Sequence, residues 1–546
     1  MYRQVLDPVA HSVALSALFA ALPLLVLFVL LGVVRLTAWI SSLIALAVAL
    51  VIATVVYPMP PAQAGLSATL GAAFGVFPIL WIVVNAIWIY NMTVETGHFD
   101  VLRRSFSRVS DDHRVQAVII AFCFGALMEA LAGFGTPVAI TAVMLIALGF
   151  EPMRAAAVAL VANTAPVAFG ALAVPITTLS KVSGLPVHDL GAMVGRQTPI
   201  LAVFVPLALV SIVDGTRGLR QTWPVALTGG VAFAVAQYVT SNFISVPLTD
   251  IVAALVSAGA VVLLLQVWQP AGAVGSGAAL PLVAGGSVDE PPPRPAAHPD
   301  RPAEEIRAYA PYLIIIVIFV LAQVHPIVNW LDSVTRTFDW PGLHIQTAAG
   351  KASTIPVFRF NWLTAAGSLM LIAGLVTAPA LRVSPARALR AYGATLRQLR
   401  WAIVTVMAVL ALAFVMNASG QTATLGTWMA GAGRAFAFLS PILGWLGVAV
   451  TGSDTSSNSL FGALQVTAAN KAHLDATLMA ASNSSGGVLG KMISPQNLAI
   501  AAAAVGLTGK EGDLFRRVLL WSLVFLAGMC VLVYLQSTPV LGWMVP

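Results

Sequence analysis

Two interruptions of apolar sequence carry side chains that could bind a small anion. The segment GSDTSSN (452–458) places a carboxylate, four hydroxyls and an amide in a row, and LAGFGTPVAI (131–140) contains a Gly/Pro break. Helix N-termini exposed at such breaks present free amides and partial positive charge, which suit a carboxylate ligand. The other interpretation is that the small polar side chains only join neighbouring helices. The residues predicted to hold the ligand are Gly133, Gly135, Thr136, Asn163, Thr164, Arg196, Ser453, Thr455, Ser456, Ser457, Asn458, Asn483, Ser484, Ser485 and Lys491.

Ionisable side chains within apolar segments predict a second kind of chemistry. Glu129 and Asp454 are the predicted proton carriers, because an ionisable residue inside a membrane segment is expensive and usually functional. Lys491 and Arg196 are the predicted counter-charges for an anion. Three structural alternatives stay open: Asp454 caps a half-helix, Arg196 reaches the surface, and Glu129 pairs with Lys491 only to hold the packing.

The composition of the chain determines which elements must position these residues. Of its 546 residues, 59% are hydrophobic and 9% are charged, whereas soluble proteins carry about a quarter charged residues. Apolar stretches of about 20 residues, long enough to span a bilayer, recur along the whole chain. The sequence therefore predicts an all-α polytopic integral membrane protein. Its net charge of +7 is attributed to cytoplasmic loops and not to a nucleic-acid surface.

The predicted spans alternate with short loops, except at one long interruption. Residues 268–308 are rich in Pro, Gly and Ala and predict a disordered cytoplasmic linker. Cys123 and Cys530 lie in apolar stretches and are predicted to pack in the core; neither a metal nor a cofactor is expected. The predicted spans are 11–34, 36–57, 64–92, 116–133, 137–150, 153–181, 190–213, 222–243, 247–267, 309–330, 360–380, 399–417, 424–438, 439–452, 458–470, 475–505 and 514–536.

The chain contains an internal repeat. Asn163 and Pro175 in the first half correspond to Asn483 and Pro495 in the second, each at an offset of 320 residues. The basic segments flank the two copies on opposite sides, so we predict that the copies are inverted in the membrane. Inverted repeats with Gly/Pro-interrupted segments in matching positions are typical of secondary transporters. The predicted domains are a first repeat, a connecting helical hairpin, the linker and a second repeat, at 1–213, 214–267, 268–308 and 309–546.

Basic residues predict the orientation of the chain. Five basic segments fall on one side of the membrane if the N-terminus lies outside, and the positive-inside rule makes that side cytoplasmic. The loop 331–359 carries three further basic residues on the outer side. The N-terminus is therefore predicted to be periplasmic. The five segments are 103–114, 217–220, 294–307, 382–400 and 510–517.

Long motifs in both repeats resemble a known family. They are AFCFGALMEALAGFGTPVAITA, LVANTAPVAFGAL, MVGRQTP, LGWLGVAVTGSDTSSNSLFGALQ and GGVLGKMISPQNLAIAAAAVGLTGKEGDLFR. With these motifs the chain resembles the L-lactate permease family of bacterial secondary transporters. The resemblance implies symport of protons with L-lactate, and in several members D-lactate or glycolate, across the inner membrane. It also implies a re-entrant hairpin in each repeat.

Other functional classes fit the sequence less well. A channel would favour rings of identical residues, and an intramembrane enzyme would need a nucleophile with its base or a metal motif such as HExxH; neither pattern occurs. The expected partners are therefore a small 2-hydroxy monocarboxylate, H⁺ and the lipid bilayer. The alternative within transporters is a sodium-coupled carrier of another small carboxylate, since the same hydroxyls and carbonyls could coordinate Na⁺.

Overall fold

The computed structural model describes residues 1–34, 36–107, 109–110, 112–133, 135–270, 302–322, 324–507 and 510–546. Within these residues, nine helical stretches are long and apolar enough to cross a membrane, or ten if one bent pair counts as a span. The prediction of an all-α polytopic membrane protein is confirmed. The predicted linker 268–308 lies outside the described residues between 271 and 301.

The described residues up to position 270 form thirteen helices, several of which are short or joined by π-helical turns. The π turns extend α1 to Val33, extend α2 to Val56 and join α6 to α7. The helices are α1 Val13–Phe28, α2 Ala38–Val51, α3 Pro61–Phe74, α4 Trp81–Glu95, α5 His98–Ser107, α6 His113–Gln116, α7 Gly125–Ala132, α8 Thr136–Ala147, α9 Pro152–Ala162, α10 Gly170–Ser183, α11 Val187–Val194, α12 Thr198–Val239 and α13 Thr249–Val267.

The described residues from position 302 onward form ten helices, of which α17 is the longest. At 35 residues and 1.5 Å per residue, α17 extends well beyond the hydrocarbon core of a bilayer. The helices are α14 Pro302–Leu321, α15 His325–Asp332, α16 Ala366–Ala380, α17 Pro385–Ser419, α18 Gln421–Met429, α19 Phe436–Thr451, α20 Asp454–Ala472, α21 Ala476–Gly490, α22 Pro495–Ala504 and α23 Glu511–Gln536.

Four short strands add to the predicted helical architecture. The N-terminal β1 (Tyr2–Arg3) pairs in parallel with β3 (Ile345–Gln346), and β2 (Arg336–Asp339) pairs antiparallel with β4 (Val357–Phe360). Strands of two to four residues are too short to give an alternating sequence pattern, so the sequence predicted only a loop at 331–359. The hydroxyl of Tyr2 lies 2.7 Å from the carbonyl oxygen of Tyr57 and 2.8 Å from that of Ser419.

These contacts define two ends of the molecule. Tyr57 follows α2 and Ser419 ends α17, so these two helices finish beside the strands; we name this the strand end. The opposite end, which holds the start of α2 and the Arg-rich start of α17, is the basic end. The side chain of Asn91, close to the C-terminus of α4, donates to Thr395 Oγ1 at 2.8 Å, so α4 finishes at the basic end.

Several predicted spans are not single straight helices. The predicted span 64–92 is divided into α3 and α4 where Phe77 adopts extended backbone angles (φ −130°, ψ 122°). The predicted span 153–181 bends by 63° between α9 and α10. The predicted spans 190–213 and 222–243 both lie largely in α12, which changes direction at Gly215 (φ 59°). Each break falls at or beside Gly or Pro, which weaken or interrupt helical hydrogen bonding.

Two helical hairpins end near the middle of the molecule. In the first hairpin, α7 and α8 meet around Gly135 (φ 85°); in the second, α19 and α20 meet at Gly452 (φ 73°). Only glycine adopts such angles without strain. The helices leading to the first hairpin start at the basic end, where the rings of His113 and Phe150 stack with centroids 4.7 Å apart. The second starts after α18, which contacts the N-terminal segment at the strand end through Thr424.

The packing of the two hairpins is reciprocal. Helix α20 of the second hairpin packs on α10, and α8 of the first hairpin packs on α22. Because α10 and α22 occupy equivalent places in the two sequence repeats, this arrangement is what a pseudo-twofold axis would produce. The inverted repeat remains a prediction, and both the opposite hairpin directions and this reciprocal packing support it.

Candidate functional site

A cavity of about 740 Å³ lies where the two hairpin tips meet the two broken helices. The break between α9 and α10 contributes Val167 and Gly170 to its wall, and the break between α21 and α22 contributes Pro495. The predicted site residues that line the cavity are Glu129, Gly133, Ser453, Asp454, Thr455, Ser456 and Lys491.

A buried ion pair lies in the cavity wall. Lys491 Nζ is 2.7 Å from Glu129 Oε1, and the Nδ2 group of Asn163 donates to Glu129 Oε2 at 2.9 Å. The two charged residues are only 6% and 3% exposed. Gly170 provides the space, since a Cβ there would lie 2.8 Å from Glu129 Oε1. The pair joins the first hairpin to the break of the second repeat, across 362 residues of sequence.

The second acid of the cavity has a free acceptor. Asp454 Oδ2 accepts hydrogen bonds from Ser484 Oγ at 2.5 Å and from Asn458 Nδ2 at 3.3 Å. Asp454 Oδ1 is buried and has no hydrogen-bond partner among the described residues. The N-cap of α20 is Ser453, whose Oγ accepts from the backbone N–H of Ser456 at 3.3 Å. The helix thus has a capping side chain other than Asp454, which leaves the carboxylate available to a ligand or a proton.

Four predicted site residues lie behind the cavity wall, in a buried network between helices. Asn458 Nδ2 donates to the carbonyl oxygen of Pro175 at 3.1 Å, and Asn483 Nδ2 donates to Asn458 Oδ1 at 2.9 Å. Ser457 Oγ donates to the carbonyl oxygen of Gly444 at 3.1 Å. With Ser484, which holds Asp454, these side chains join α10, α19, α20 and α21. Their contacts fit the interpretation that they hold helices together.

Other predicted residues also lie away from the cavity. Gly135 and Thr136 lie where the first hairpin packs on α22; a Cβ on Gly135 would lie 2.5 Å from Ile500. Thr164 donates to the carbonyl oxygen of Val161 at 2.7 Å, in its own chain segment. Ser485 Oγ donates to Gln197 Oε1 at 2.7 Å.

Arg196 is separated from the predicted anion site. Its Nε donates to Asn242 Oδ1 and its Nη1 to the carbonyl oxygen of Met544, both at 2.9 Å. It does not line the cavity, because it precedes α12 and follows α11, at a connection that packs on the C-terminal segment. We therefore leave Arg196 out of the proposed site.

The wall toward the basic end comes from helices that the sequence motifs did not indicate. Trp39 and Trp401 stack there, with ring centroids 4.6 Å apart and an angle of 18° between their planes. Both rings line the cavity, together with Thr37 and Thr405. Thr37 is exposed and Trp401 is 48% exposed, so the cavity reaches the protein surface here. Pro495, Gln496 and Ala499 also line the cavity and are exposed. The only sequence signal was a pair of tryptophans within predicted spans.

The whole sequence matches a family of membrane permeases. The sequence model described as L-lactate permease matches residues 16–540. The chain belongs to the L-lactate permease family. This permease is 41% identical over 559 residues to the L-lactate permease of Escherichia coli K12, with 100% of both chains covered. It is 40% identical to the L-lactate permease of Bacillus subtilis 168, again with 100% of both covered.

Relatives of this permease include a protein that is named for another substrate. The glycolate permease GlcA of Escherichia coli K12 is 42% identical, with 98% of both chains covered. Among solved structures, the permease resembles the Alcanivorax borkumensis YdaH transporter with a TM-score of 0.44 and 18% identity, covering 86% of this chain and 87% of that chain. Its TM-score to Neisseria gonorrhoeae MtrF is 0.45 at 13% identity, covering 86% and 83%.

Proposed function

We propose that this protein is a secondary active transporter that carries L-lactate, and also D-lactate or glycolate, together with H⁺ across the bacterial inner membrane. The substrate class is supported by the names of its relatives, which are lactate and glycolate permeases. The single observation that carries the coupling is the buried pair Glu129–Lys491 in the cavity wall.

The ion pair couples the two ligands by exchange of counter-ions. In the empty site, the Glu129 carboxylate compensates the Lys491 ammonium. A proton from the medium forms an O–H bond at Glu129 and removes that negative charge. The lactate carboxylate then replaces Glu129 as the counter-ion of Lys491. Uptake of H⁺ and lactate together therefore leaves the net charge of the site unchanged.

The start of α20 supplies polar contacts for the rest of the substrate. Thr455 and Ser456 line the cavity in the first turn of this helix, where hydroxyls can both donate to and accept from a 2-hydroxyl group. The free oxygen of Asp454 adds a buried acceptor at the same place. We assign Asp454 as the second proton-coupling residue, which can hold the same coupled proton at its free oxygen when that proton is not on Glu129.

The proposed architecture follows the two sequence repeats. Residues 1–213 and 309–546 form inverted copies, the hairpin 214–267 connects them, and the N-terminus faces the periplasm. The opposite directions of the two hairpins support this inversion. Each copy then contributes one charge of the ion pair, Glu129 from the first and Lys491 from the second.

Uptake of labelled lactate into proteoliposomes tests the coupling. With a pH gradient imposed, acid outside, we expect accumulation that a protonophore abolishes, because Glu129 must be protonated for lactate to reach Lys491. An imposed Na⁺ gradient should change the uptake little. The matched control is protein-free liposomes under the same gradients. Sodium-driven accumulation that persists with the protonophore would contradict proton symport and favour the sodium-coupled alternative.

A further inference from the structure

A third buried acid lies outside the cavity. Asp250, in the first turn of α13, is 0% exposed. Its Oδ1 accepts from Gln237 Nε2 at 3.1 Å, and its Oδ2 has no hydrogen-bond partner among the described residues. Sequence reasoning passed over it because it lies near the start of the predicted span 247–267. A fully buried carboxylate with an unsatisfied oxygen is costly to keep anionic, which indicates that it holds a proton for part of its working cycle.

Asp250 is connected to the ion pair through the break of the first repeat. The side chain of Gln237 also donates to the carbonyl oxygen of Ala165 at 3.3 Å. Ala165 lies in the turn between α9 and α10, two residues after Asn163, which holds Glu129. Helix α13 packs directly on α7, the helix that carries Glu129.

Polar groups continue from Asp250 toward the protein surface. Thr240 and Ser245, in the turn directly before α13, have buried hydroxyls with no partner among the described residues. Asn242, in the same turn, contacts Arg196, which is only partly buried. Helix α12 is divided into two arms by its bend at Asp214, where Arg114 binds. The turn before α13 lies at the ends of both arms that are far from this bend. It therefore lies on the side that the orientation prediction makes periplasmic.

The elements that pack on α13 carry few ionisable side chains that could affect Asp250. Helix α7 carries Glu129, which is paired with Lys491. Cys123 contacts Ser257, two turns along α13, and Lys181 of α10 lies over the ring of Phe74. The remaining ionisable groups in those elements are on α12. One of them, Tyr238, contacts Phe243; the others, at the bend of the helix, are Asp214, Arg217 and Arg220.

We propose that Asp250 is a proton-relay residue that delivers H⁺ from the periplasmic surface to Glu129. The inference rests on the proposed proton coupling at Glu129. In the transfer, the O–H bond at Asp250 breaks and one forms at Glu129, after which the Asp250 carboxylate takes a new proton from the periplasmic side. Asp250 does not line the cavity, so the relay is separate from the proposed lactate site.

The decisive variant is Asp250→Asn in proteoliposomes. We expect accumulation driven by a pH gradient to fall about tenfold or more, while exchange of labelled for unlabelled lactate at equal pH stays within about twofold of wild type. Exchange does not require release of the proton, so a relay residue is dispensable for it. Asp250→Glu should restore accumulation with a shifted pH profile. The control is Asp332→Asn, a change of an exposed carboxylate at the strand end.

The other outcomes of this experiment distinguish failure of the relay from failure of the proposed proton coupling. Wild-type accumulation by Asp250→Asn, or loss of exchange together with accumulation in a folded protein, overturns the relay. If wild-type protein itself ignores the pH gradient, the proposed proton coupling fails first. Should Asp250→Asn not fold, Gln237→Met keeps the acid but removes its amide partner. The relay then requires a shifted pH profile with intact exchange, and an unchanged profile overturns it.

Discussion

At the scale of single residues, Lys491 is the group on which anion binding depends in the proposed mechanism. Its ammonium is buried in the cavity wall and is compensated by Glu129 at 2.7 Å. A desolvated charge that loses its partner costs about 3–5 kcal/mol. Neither residue can therefore be changed without leaving the other, or the bound substrate, uncompensated.

We predict that Lys491→Ala weakens lactate binding by about 3–5 kcal/mol, because the substrate carboxylate would be buried without a cation. Isothermal titration of purified, correctly folded protein measures the change. Lys181→Ala is the matched control, since this lysine lies over the ring of Phe74, 5.9 Å from its centroid, and does not line the cavity. Normal lactate affinity in Lys491→Ala would refute the role of the ammonium.

Ser456 and Ser457 are adjacent but face different surroundings, so they test the proposed contact with the 2-hydroxyl. Ser456 lines the cavity, whereas Ser457 donates to the carbonyl oxygen of Gly444 behind it. We predict that Ser456→Ala weakens lactate binding by roughly 1–3 kcal/mol and barely changes binding of propionate, which lacks the hydroxyl. Ser457→Ala should lower the thermal midpoint without such discrimination. An equal loss for both ligands in Ser456→Ala would assign it a structural role.

The sequence predicted the charged residues of this site. Glu129, Asp454 and Lys491 were indicated because charge is rare in apolar segments, and all three line the cavity. Asp250 was missed because it lies near the start of its predicted span, where acids are common on helix N-termini. The sequence did not distinguish Asn458 and Ser457, which bond to neighbouring helices, from residues that contact a ligand. The direction of a side chain on a buried helix depends on which neighbours pack around it.

At the scale of secondary-structure elements, the start of α10 contains an unusual left-handed turn. Ala171, Leu172 and Ala173 have φ angles of 44°, 56° and 58°. L-residues in this region cost roughly 1–2 kcal/mol each, and such strain is typical of functional sites. Ala171 lines the cavity, so the strained backbone forms part of its wall. In the matching place of the second repeat, Lys491 has right-handed angles.

We predict that Ala173→Gly stabilises the protein by about 1 kcal/mol, because glycine adopts the left-handed conformation without the Cβ penalty. The matched control is Ala157→Gly in α9, also fully buried but in a right-handed helix, which should destabilise by about 0.5–1 kcal/mol. Thermal midpoints in detergent report both signs. If the two variants shift the midpoint in the same direction, the left-handed turn stores no strain.

The helices of the cavity were only partly predictable. The paired motifs identified both hairpin tips and both breaks, because Gly, Pro and small polar residues mark positions where helical hydrogen bonding is interrupted. The walls formed by α2 and α17 carry Trp39 and Trp401, and nothing in their local sequence distinguishes them from other apolar spans. Their place at the cavity follows from tertiary packing, which no local pattern encodes.

At the scale of the whole molecule, the cavity reaches the surface at the basic end, around Thr37 and Trp401. The strand end lies on the opposite side, where Lys351 is exposed. If the N-terminus is periplasmic, as the basic segments predict, this opening of the cavity faces the cytoplasm. The orientation and the accessible side can thus be tested together.

We predict that a cysteine at Thr37 reacts with a membrane-impermeant thiol reagent in inside-out vesicles and not in intact cells. The native Cys123 and Cys530 are buried, so we expect little background labelling from them. Lys351→Cys is the control. It should react in cells whose outer membrane has been permeabilised, where the reagent reaches the periplasm, and not in inside-out vesicles. The reverse labelling of both positions would place the N-terminus in the cytoplasm.

The proposed mechanism gives the ion pair between the two repeats a further consequence, for leakage. In the proposed mechanism, the empty carrier and the carrier with both ligands have the same net charge, so either one reorients without moving charge. A carrier holding only a proton has an uncompensated Lys491, and one holding only lactate has an unpaired Glu129 or substrate carboxylate. With a penalty of about 3–5 kcal/mol and a factor of ten per 1.4 kcal/mol, half-loaded carriers would be suppressed by roughly two to nearly four powers of ten. One salt bridge would then keep protons from dissipating their gradient without cargo.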